Sequence, residues 1–370
     1  MKDLTTAAVT LSIISTPSRF GLWDALSDSP DVILKRLLSN ELKTQEIIAS
    51  KYSFDALKAA DLIIARCRSK KIKIITIWDN QYPELLKQIH NPPLVLYAIG
   101  DIPGRKMVSI VGTRDSDEKA EEITKRISEG AVTSGYTVVS GMAIGIDRNA
   151  HLGALVSGGS TVAVLPGGVD IVYPGKNIDI YKMILKSESS AVISEYPPGI
   201  GTGQKWTFAR RNRIISGISG AVIIIQAPLK SGAMITARYA IDHNRDLFVC
   251  PGNAFDIKYS GCHELIKQGA AIFSDMKDLF SEIEPKTGFT VFEKKDIINT
   301  GIDGKNAELK DDIGETGLKI YEELKNGFLE IDQFIRMNYL SAEEVNRSIT
   351  FLEVAGYIER RGNRIYKLFY

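Results

Sequence analysis

A nine-residue stretch of the sequence combines cations with aromatic side chains. It reads Lys205-Trp206-Thr207-Phe208-Ala209-Arg210-Arg211-Asn212-Arg213. It lies within the 46 positions between Glu195 and Asp242, which contain six lysines and arginines and no acidic residue. Cations follow the phosphates of a nucleic acid, and aromatic rings stack on unpaired bases at about 1–3 kcal/mol per base. The stretch favours contact with a single-stranded polynucleotide, although Phe208 could instead belong to the core and the arginines to a solvated helix face.

Glycine-rich turns follow four of the apolar runs that we interpret as strands. They are Gly112-Thr113-Arg114, Gly141 to Gly145, Pro166-Gly167-Gly168, and Ser231-Gly232 with Thr236. Such turns let backbone N–H groups approach a ligand, and the helices that start there favour anions. Glycine also ends strands in α/β proteins without a ligand, so one turn alone indicates little. Four turns at one edge of a sheet favour a ligand that carries phosphate.

The sequence lacks the motifs of several common enzyme classes. It has no G-x-x-x-x-G-K-[ST] loop, no G-x-G-x-x-G after the first strand of the α/β region, and no G-x-S-x-G elbow. A P-loop ATPase, a dinucleotide dehydrogenase and an α/β-hydrolase are therefore disfavoured. His151 and His243 have no partner motif and are interpreted as structural. Glu195 follows a strand and could orient Arg114 or Arg213 through a salt bridge. With none of these motifs present, we expect no catalytic residue, cofactor or metal.

Seven short apolar runs between residues 105 and 283 predict the central architecture. They are Met107–Val111, Tyr136–Ser140, Thr161–Leu165, Ala191–Ser194, Ala221–Ile225, Leu247–Cys250 and Ala270–Phe273. Continuous apolar runs indicate strands that are buried on both faces, and helical stretches between them indicate crossovers. This pattern predicts an α/β fold with a doubly wound, mostly parallel sheet, in which ligands bind at the carboxyl ends of the strands.

The regions on either side of this sheet have different patterns. The pattern of residues 1–100 predicts mostly helix, with a strand-like run at Ile72–Trp78, and we interpret the polar residues 284–313 as a linker. In residues 314–370, two short helical patterns precede a third that starts at the capping box of Ser341 and Glu344. A hairpin signal at Gly362-Asn363 follows. Three helices followed by a hairpin predict a winged helix.

Composition excludes further classes of protein. The chain has 370 residues, and 46 Lys and Arg against 45 Asp and Glu give a net charge of +1, which excludes a globally basic nucleic-acid coat protein. Three scattered cysteines do not form a disulfide framework, and Cys262-His263 alone does not form a zinc site, so we expect small buried side chains. No apolar stretch is long enough to span a membrane, and we expect a cytoplasmic protein.

The motifs together resemble the family of DNA-processing proteins called DprA or Smf. The resemblance extends from about residue 78 to residue 280. It lies in Trp78-Asp79, Tyr82-Pro83, Val111-Gly112-Thr113-Arg114, Ser140-Gly141, Gly145-Ile146-Asp147, Ala150-His151, Tyr173-Pro174 with Asn177, Ser194-Glu195, Phe208 with Arg211-Asn212-Arg213-Ile214-Ile215, Ser231-Gly232, Ile235-Thr236, Pro251-Gly252, Gly261, Leu265-Ile266 and Gly269-Ala270. Each motif is weak alone, but their order and spacing are specific.

The resemblance implies both an architecture and an activity. It implies an extended Rossmann-like domain over residues 101–283 that binds single-stranded DNA and is not an enzyme. It further implies a protein that protects incoming DNA in natural transformation, helps to load the recombinase RecA, and forms a homodimer through the Rossmann-like domain. Residues 1–100 would be a helical domain of sterile-alpha-motif type, and residues 314–370 the winged helix.

The resemblance also implies a set of DNA-binding residues. Arg114 would hold a phosphate beside the Gly112 amide, Lys205 with Arg211 and Arg213 would line the pocket, and Phe208 would stack on a base or support the pocket. The remaining candidates are Ser140, Gly141, Lys176, Asn177, Arg210, Asn212, Ser231, Gly232 and Thr236. Two features depart from the family. Acids at Asp115, Asp117, Glu118, Glu121 and Glu122 follow Arg114, where they would repel a phosphate unless they face outward, and the register of Lys176 with the family's basic residue is unsettled.

Two other functions remain open from the sequence. Pro166-Gly167-Gly168 is similar to a loop of phosphoribohydrolases of the lysine-decarboxylase-like group, but the glycine, threonine and glutamate that continue that motif are missing. A transcriptional regulator would read duplex DNA with the winged helix. Residues 315–370 contain eight Lys and Arg against nine Asp and Glu, which argues against it. A winged helix that contacts protein is at least as compatible with this charge as one that contacts DNA.

Overall fold

The computed structural model describes most of the first 283 residues. The described ranges are 4–14, 28–33, 48–104, 106–202 and 205–283, followed by 320, 324, 328–330, 345, 349, 358–361 and 364–367. The chain divides into two compact units, Met1–Pro285 and Lys286–Tyr370.

A nine-stranded sheet forms the centre of the first unit. Its strands are β1 Lys73–Thr76, β2 Val95–Gly100, β3 Met107–Val111, β4 Thr137–Ser140, β5 Thr161–Val164, β6 Ala191–Ser194, β7 Ala221–Ile224, β8 Asp246–Val249 and β9 Ala271–Ile272. The spatial order is β1-β2-β6-β5-β4-β3-β7-β8-β9. Every pair of neighbours from β6 through β5, β4, β3, β7 and β8 to β9 is parallel. All seven predicted strands of the α/β region are present, and the mostly parallel fold class is confirmed.

Helices cover both faces of the sheet. They are α1 Leu4–Ile14, α2 Ile48–Ser69, α3 Glu84–Lys87, α4 Glu118–Thr133, α5 Ile146–Val156, α6 Ile178–Lys186, α7 Lys205–Ile218, α8 Gly232–Asp242, α9 Ser260–Lys267 and α10 Met276–Ile283. Neighbouring residues of β3 belong to different hydrophobic clusters. Ile110 shares a cluster with Ile127 of α4, whereas Val111 shares the other with Ile214 of α7. This burial on two faces explains why the strands are continuously apolar.

The strand β2 is absent from the sequence prediction. It follows Asn91-Pro92-Pro93, which the sequence analysis treats only as a rigid connector. Tyr97 pairs with Ser194 and Gly100 pairs with Ala191 in an antiparallel ladder between β2 and β6. A domain boundary at residue 100 therefore divides this sheet, because β1 and β2 precede the boundary and their hydrogen-bonding partner β6 follows it.

The order of the strands defines where a ligand site is expected. From β3 the chain adds β4, β5 and β6 on one side, and it then returns to place β7 on the other side of β3. The crevice outside the carboxyl ends of the strands at such a reversal is the usual ligand site of doubly wound sheets. The turns after β3, β4, β5 and β7 all lie at this edge, which we call the carboxyl edge.

The second unit contains a small antiparallel sheet. Its strands are β10 Phe328–Glu330, β11 Ile358–Arg361 and β12 Arg364–Lys367, in the order β10-β12-β11. Arg361 pairs with Arg364, which confirms the predicted pairing of two strands around a two-residue turn. Gly362-Asn363, the capping box and the linker 284–313 lie outside the described residues, so the winged helix stays a prediction.

Two simpler expectations can be compared with the described residues. Cys67, Cys250 and Cys262 are free and buried, as predicted. Within the described ranges, no helix is both long enough and apolar enough to cross a bilayer.

Candidate nucleic-acid interface

A small pocket opens at the carboxyl edge. It has a volume of about 100 Å³ and is lined by Arg114, Gly141, Ala143, Ile144, Pro166, Tyr173, Pro174, Phe208 and Arg211. The rings of Phe208 and Tyr173 meet edge to face, with centroids 5.5 Å apart and an interplanar angle of 64°. Turns after β3, β4 and β5 thus converge with α7 on two aromatic rings, and we call this the aromatic pocket.

Arg114 supplies an exposed cation to the aromatic pocket. Its Cζ lies over the Phe208 ring, 5.3 Å from the centroid, which is within the range of a cation–π interaction. The side chain is exposed, and its guanidinium forms no ion pair with any residue that the structure describes. Arg114 therefore lies at the pocket with free hydrogen-bond donors, which are the properties of a residue that binds phosphate.

Three of the acids after Arg114 are engaged by other groups. Asp117 accepts from the backbone N–H of Ala120 at 2.8 Å as the N-cap of α4, and it also accepts from the Gln226 side chain at 2.5 Å. These hydrogen bonds hold the pKa of Asp117 below its ordinary value. Asp115 pairs with Lys258 at 3.4 Å, and Glu121 accepts from Ser116. These contacts direct the three carboxylates to the start of α4 and to neighbouring loops.

Arg211 supports the pocket from inside the protein. Its side chain is 4% exposed, and Nη1 donates to the carbonyls of Gly141 and Val164. Burial lowers the pKa of Arg211 to about 10, although the nearby Asp147 opposes this shift. A Cβ at position 141 would lie 2.6 Å from the Arg211 Cζ, so this close approach requires glycine there.

Asp147 holds the turn after β4 from the other side. It is 5% exposed and accepts from the backbone N–H groups of Gly141 at 3.1 Å and Ala143 at 3.4 Å. The Asp147 carboxylate therefore accepts hydrogen bonds from the two backbone N–H groups that we expected to face an anionic ligand. Gly141 and its turn belong to the framework of the pocket, and an internal carboxylate satisfies two of the N–H groups of the turn.

Arg213 is also internal. It is 5% exposed, Nη1 donates to the carbonyl of Asn91, and Nη2 forms a 2.5 Å salt bridge with Glu195. Arg210 lies 3.1 Å from the other oxygen of Glu195 and remains about one-third exposed. The hypothesis that Glu195 orients Arg213 is confirmed. Arg211 and Arg213 are thus buried and partnered. Arg211 lines the aromatic pocket, whereas Arg213 is not among the residues that line it. That the two arginines contact DNA stays a prediction.

Most of the other predicted residues build the same framework. The Ser140 hydroxyl donates to the carbonyl of Ile110, and the Asn177 amide donates to the carbonyls of Met142 and Ala143. Asn212 donates to the carbonyl of Gly232, Ser231 caps α8, and Thr236 is buried. Gly112 packs against α5, since a Cβ there would lie 2.5 Å from Ile146. The side chains of Ser140, Asn177, Asn212 and Thr236 are thus buried, whereas Ser231 is partly exposed. That these residues bind DNA stays a prediction.

The exposed candidates are fewer than the sequence suggests. Among the charged and aromatic candidates with described side chains, Arg114 and Lys176 are exposed, and Arg210 and Phe208 are partly exposed. Gly232 is also exposed, and Gly112 and Ser231 are partly exposed. Lys205 begins α7, but its side chain lies outside the described part of the structure. Sequence reasoning missed Tyr173 as an aromatic partner of Phe208 and Asp147 as a polar support. The signals were present in the Tyr173-Pro174 dipeptide and in Gly145-Ile146-Asp147.

Comparison with known proteins identifies the family. Residues 73–284 match the family model of the DNA recombination-mediator protein A. The chain belongs to this family. The resemblance stated from the sequence is thereby confirmed, and members of the family are DNA recombination mediators and not enzymes. The chain is therefore a protein of DNA processing and recombination.

Named relatives and solved structures agree with this assignment. Protein Smf of Synechocystis is 30% identical over 93% of this chain and 97% of its own length, and DprA of Bacillus subtilis is 38% identical over 60% and 74%. The structure of DprA from Streptococcus pneumoniae aligns with a TM-score of 0.60 at 29% identity, covering 77% of this chain and 99% of that one. DprA from Helicobacter pylori, described for its single-stranded DNA binding mode, aligns with a TM-score of 0.51 at 28% identity, covering 58% and 95%.

Proposed function

We propose that this chain binds single-stranded DNA at the aromatic pocket and protects incoming DNA during natural transformation. The observation that carries the proposal is the exposed Arg114 guanidinium over the Phe208 ring, at the reversal point of a doubly wound sheet. A phosphate would bind Arg114, and an unpaired base would pack against the rings of Phe208 and Tyr173. The single-stranded DNA binding described for the Helicobacter pylori relative supports the same class of ligand.

The chemistry of the pocket favours a single strand over a duplex. Its aromatic groups lie in a cavity of about 100 Å³, where they can be reached by a base that is splayed out of a stack. Stacking tolerates any base, since every base has a π-face, so we expect little sequence preference. Three residues act as positioning residues because their polar atoms already bind protein groups. Arg211 and Asn177 donate to backbone carbonyls, and Arg213 pairs with the carboxylate of Glu195.

A titration with fluorescent poly-dT and a matched duplex, each at two salt concentrations, tests the proposal. We expect preference for the single strand, and four or five phosphate contacts would give a slope of log K against log salt of roughly −3 to −4. A flat salt response would contradict the electrostatic part of the mechanism. Preference for the duplex would instead favour a transcriptional regulator, and hydrolysis of a nucleotide would favour a phosphoribohydrolase.

We further propose a homodimer and an interaction with RecA, both of which the family resemblance implies. The exposed edge supports the first, because β9 ends the sheet and its Ile272 is 54% exposed. Exposed edge strands with apolar side chains readily pair with another chain. Sedimentation of the chain alone and mixed with RecA on single-stranded DNA tests both partners. A monomer at all concentrations would contradict the dimer, and separate sedimentation would contradict the RecA complex.

A further inference from the structure

An arginine from the N-terminal region lies against a loop of the carboxyl edge. Arg66 is near the end of α2, and its guanidinium packs on the backbone at Gly199, between β6 and α7. Gly199 has a φ of 87°, and a Cβ at this position would collide with the guanidinium. The absence of a side chain at Gly199 therefore leaves room for the Arg66 guanidinium against the main chain of the loop.

A single carboxylate holds this contact together. Asp170 accepts from the backbone N–H of Gly199 at 2.8 Å and from Lys70 at 2.5 Å, and it lies 3.9 Å from the Arg66 guanidinium. The side chain of Asp170 is only 10% exposed, whereas those of Arg66 and Lys70 are 50% and 43% exposed. Two cations thus share one largely buried anion, which leaves a net positive charge on the surface.

The same loops connect this charge to the aromatic pocket. Pro166 lines the pocket, and the backbone N–H of Gly168 donates to the carbonyl of Ile200 at 2.8 Å. Ile200 directly follows Gly199, on which Arg66 packs. Arg66 and the pocket therefore lie on the same pair of interlocked loops, after β5 and before α7.

The Arg66 guanidinium keeps its hydrogen-bonding capacity. It donates to no described residue within hydrogen-bond distance, since its one ion-pair contact, with Asp170, is 3.9 Å long. A planar guanidinium binds phosphate through two parallel donors. This arrangement has the features of a phosphate ligand rather than of a surface salt bridge.

We propose that Arg66, with Lys70 beside it, binds a backbone phosphate of the strand that occupies the aromatic pocket. The proposal rests on the proposed function, and it extends the DNA footprint from the Rossmann-like sheet onto helix α2. A short oligonucleotide would fill the pocket alone, whereas a longer one would also reach Arg66.

The test compares Arg66→Ala with Arg68→Ala on dT6 and dT30. Arg68 is an exposed arginine about 200° around the same helix, so it is a control of equal charge outside the proposed path. For Arg66→Ala we expect dT30 affinity to fall about 3- to 10-fold and its salt slope to fall by roughly 0.7, the value of one phosphate contact on a single strand. Binding of dT6 by both variants, and of dT30 by Arg68→Ala, should match the wild type.

Each other outcome rejects the inference in a recognisable way. Unchanged dT30 binding by Arg66→Ala, or an equal loss in Arg68→Ala, would exclude a specific contact. A loss on dT6 as well would show that Arg66 acts only by supporting the pocket. Failure of the wild type to bind either oligonucleotide would reject the proposed function itself. Arg66→Gln, which removes the charge but keeps a shorter polar side chain, serves as the second variant if the alanine variant does not fold.

Discussion

Replacement of Arg213 by alanine is expected to lower the free energy of unfolding by about 3 kcal/mol, at the lower end of the range for broken buried ion pairs. The change removes the 2.5 Å partner of Glu195, whose side chain is only 7% exposed, and a donor to the Asn91 carbonyl. Arg210 would still neutralise part of the Glu195 charge, which is why the loss should not be larger. Urea denaturation measures the effect as a lower midpoint with an unchanged slope.

Arg210→Ala is the matched control for this prediction. Arg210 contacts the same carboxylate at 3.1 Å, but its side chain is 35% exposed to solvent. Exposed ion pairs contribute about 0–1 kcal/mol, so this variant should remain within 1 kcal/mol of the wild type. Equal losses in the two variants would contradict the assignment of Arg213 as the buried member of the network.

Phe208→Ala is expected to reduce affinity for single-stranded DNA by about 5- to 150-fold, which corresponds to the loss of stacking on one base. The ring is only partly buried, and its described contacts are with Tyr173 and Arg114 at the mouth of the pocket. The change should therefore affect binding more than folding. Fluorescence anisotropy with labelled poly-dT measures the affinity, and the thermal midpoint verifies the fold.

Two further variants make this experiment specific. Phe208→Tyr keeps the ring and should retain most of the affinity. Phe255→Ala removes a fully exposed ring that does not line the aromatic pocket, and it should bind like the wild type. An equal loss in Phe208→Ala and Phe255→Ala would indicate general apolar adhesion, and no loss in Phe208→Ala would remove Phe208 from the binding surface.

The sheet is the part of the fold that the sequence predicts best. The strands are buried on both faces, so each leaves a continuous apolar run between glycine or proline residues that any reader of the sequence can find. The strand β2 also has an apolar run, from Leu94 to Ile99 between Pro93 and Gly100, but the prolines before it resemble a connector. Its antiparallel pairing with β6 joins segments about a hundred positions apart, and that pairing leaves no local pattern.

The site is less predictable than the sheet for a related reason. The cations of α7 look equivalent in the sequence, since all lie within a few positions of Phe208. Their different environments come from distant groups, which are the carbonyls of Val164 and Asn91 and the carboxylate of Glu195. Composition correctly indicates where positive charge concentrates, but only the three-dimensional contacts separate the buried arginines from the exposed Arg114.

The antiparallel seam between β2 and β6 also sets the smallest fragment that should fold. A truncated chain beginning at residue 101 would remove the neighbour of β6 and leave a row of its backbone N–H and C=O groups unpaired. The shortest autonomous piece should therefore start no later than Lys73, where β1 begins. The match to the family model starts at the same residue, so it includes both strands of this border, β1 and β2.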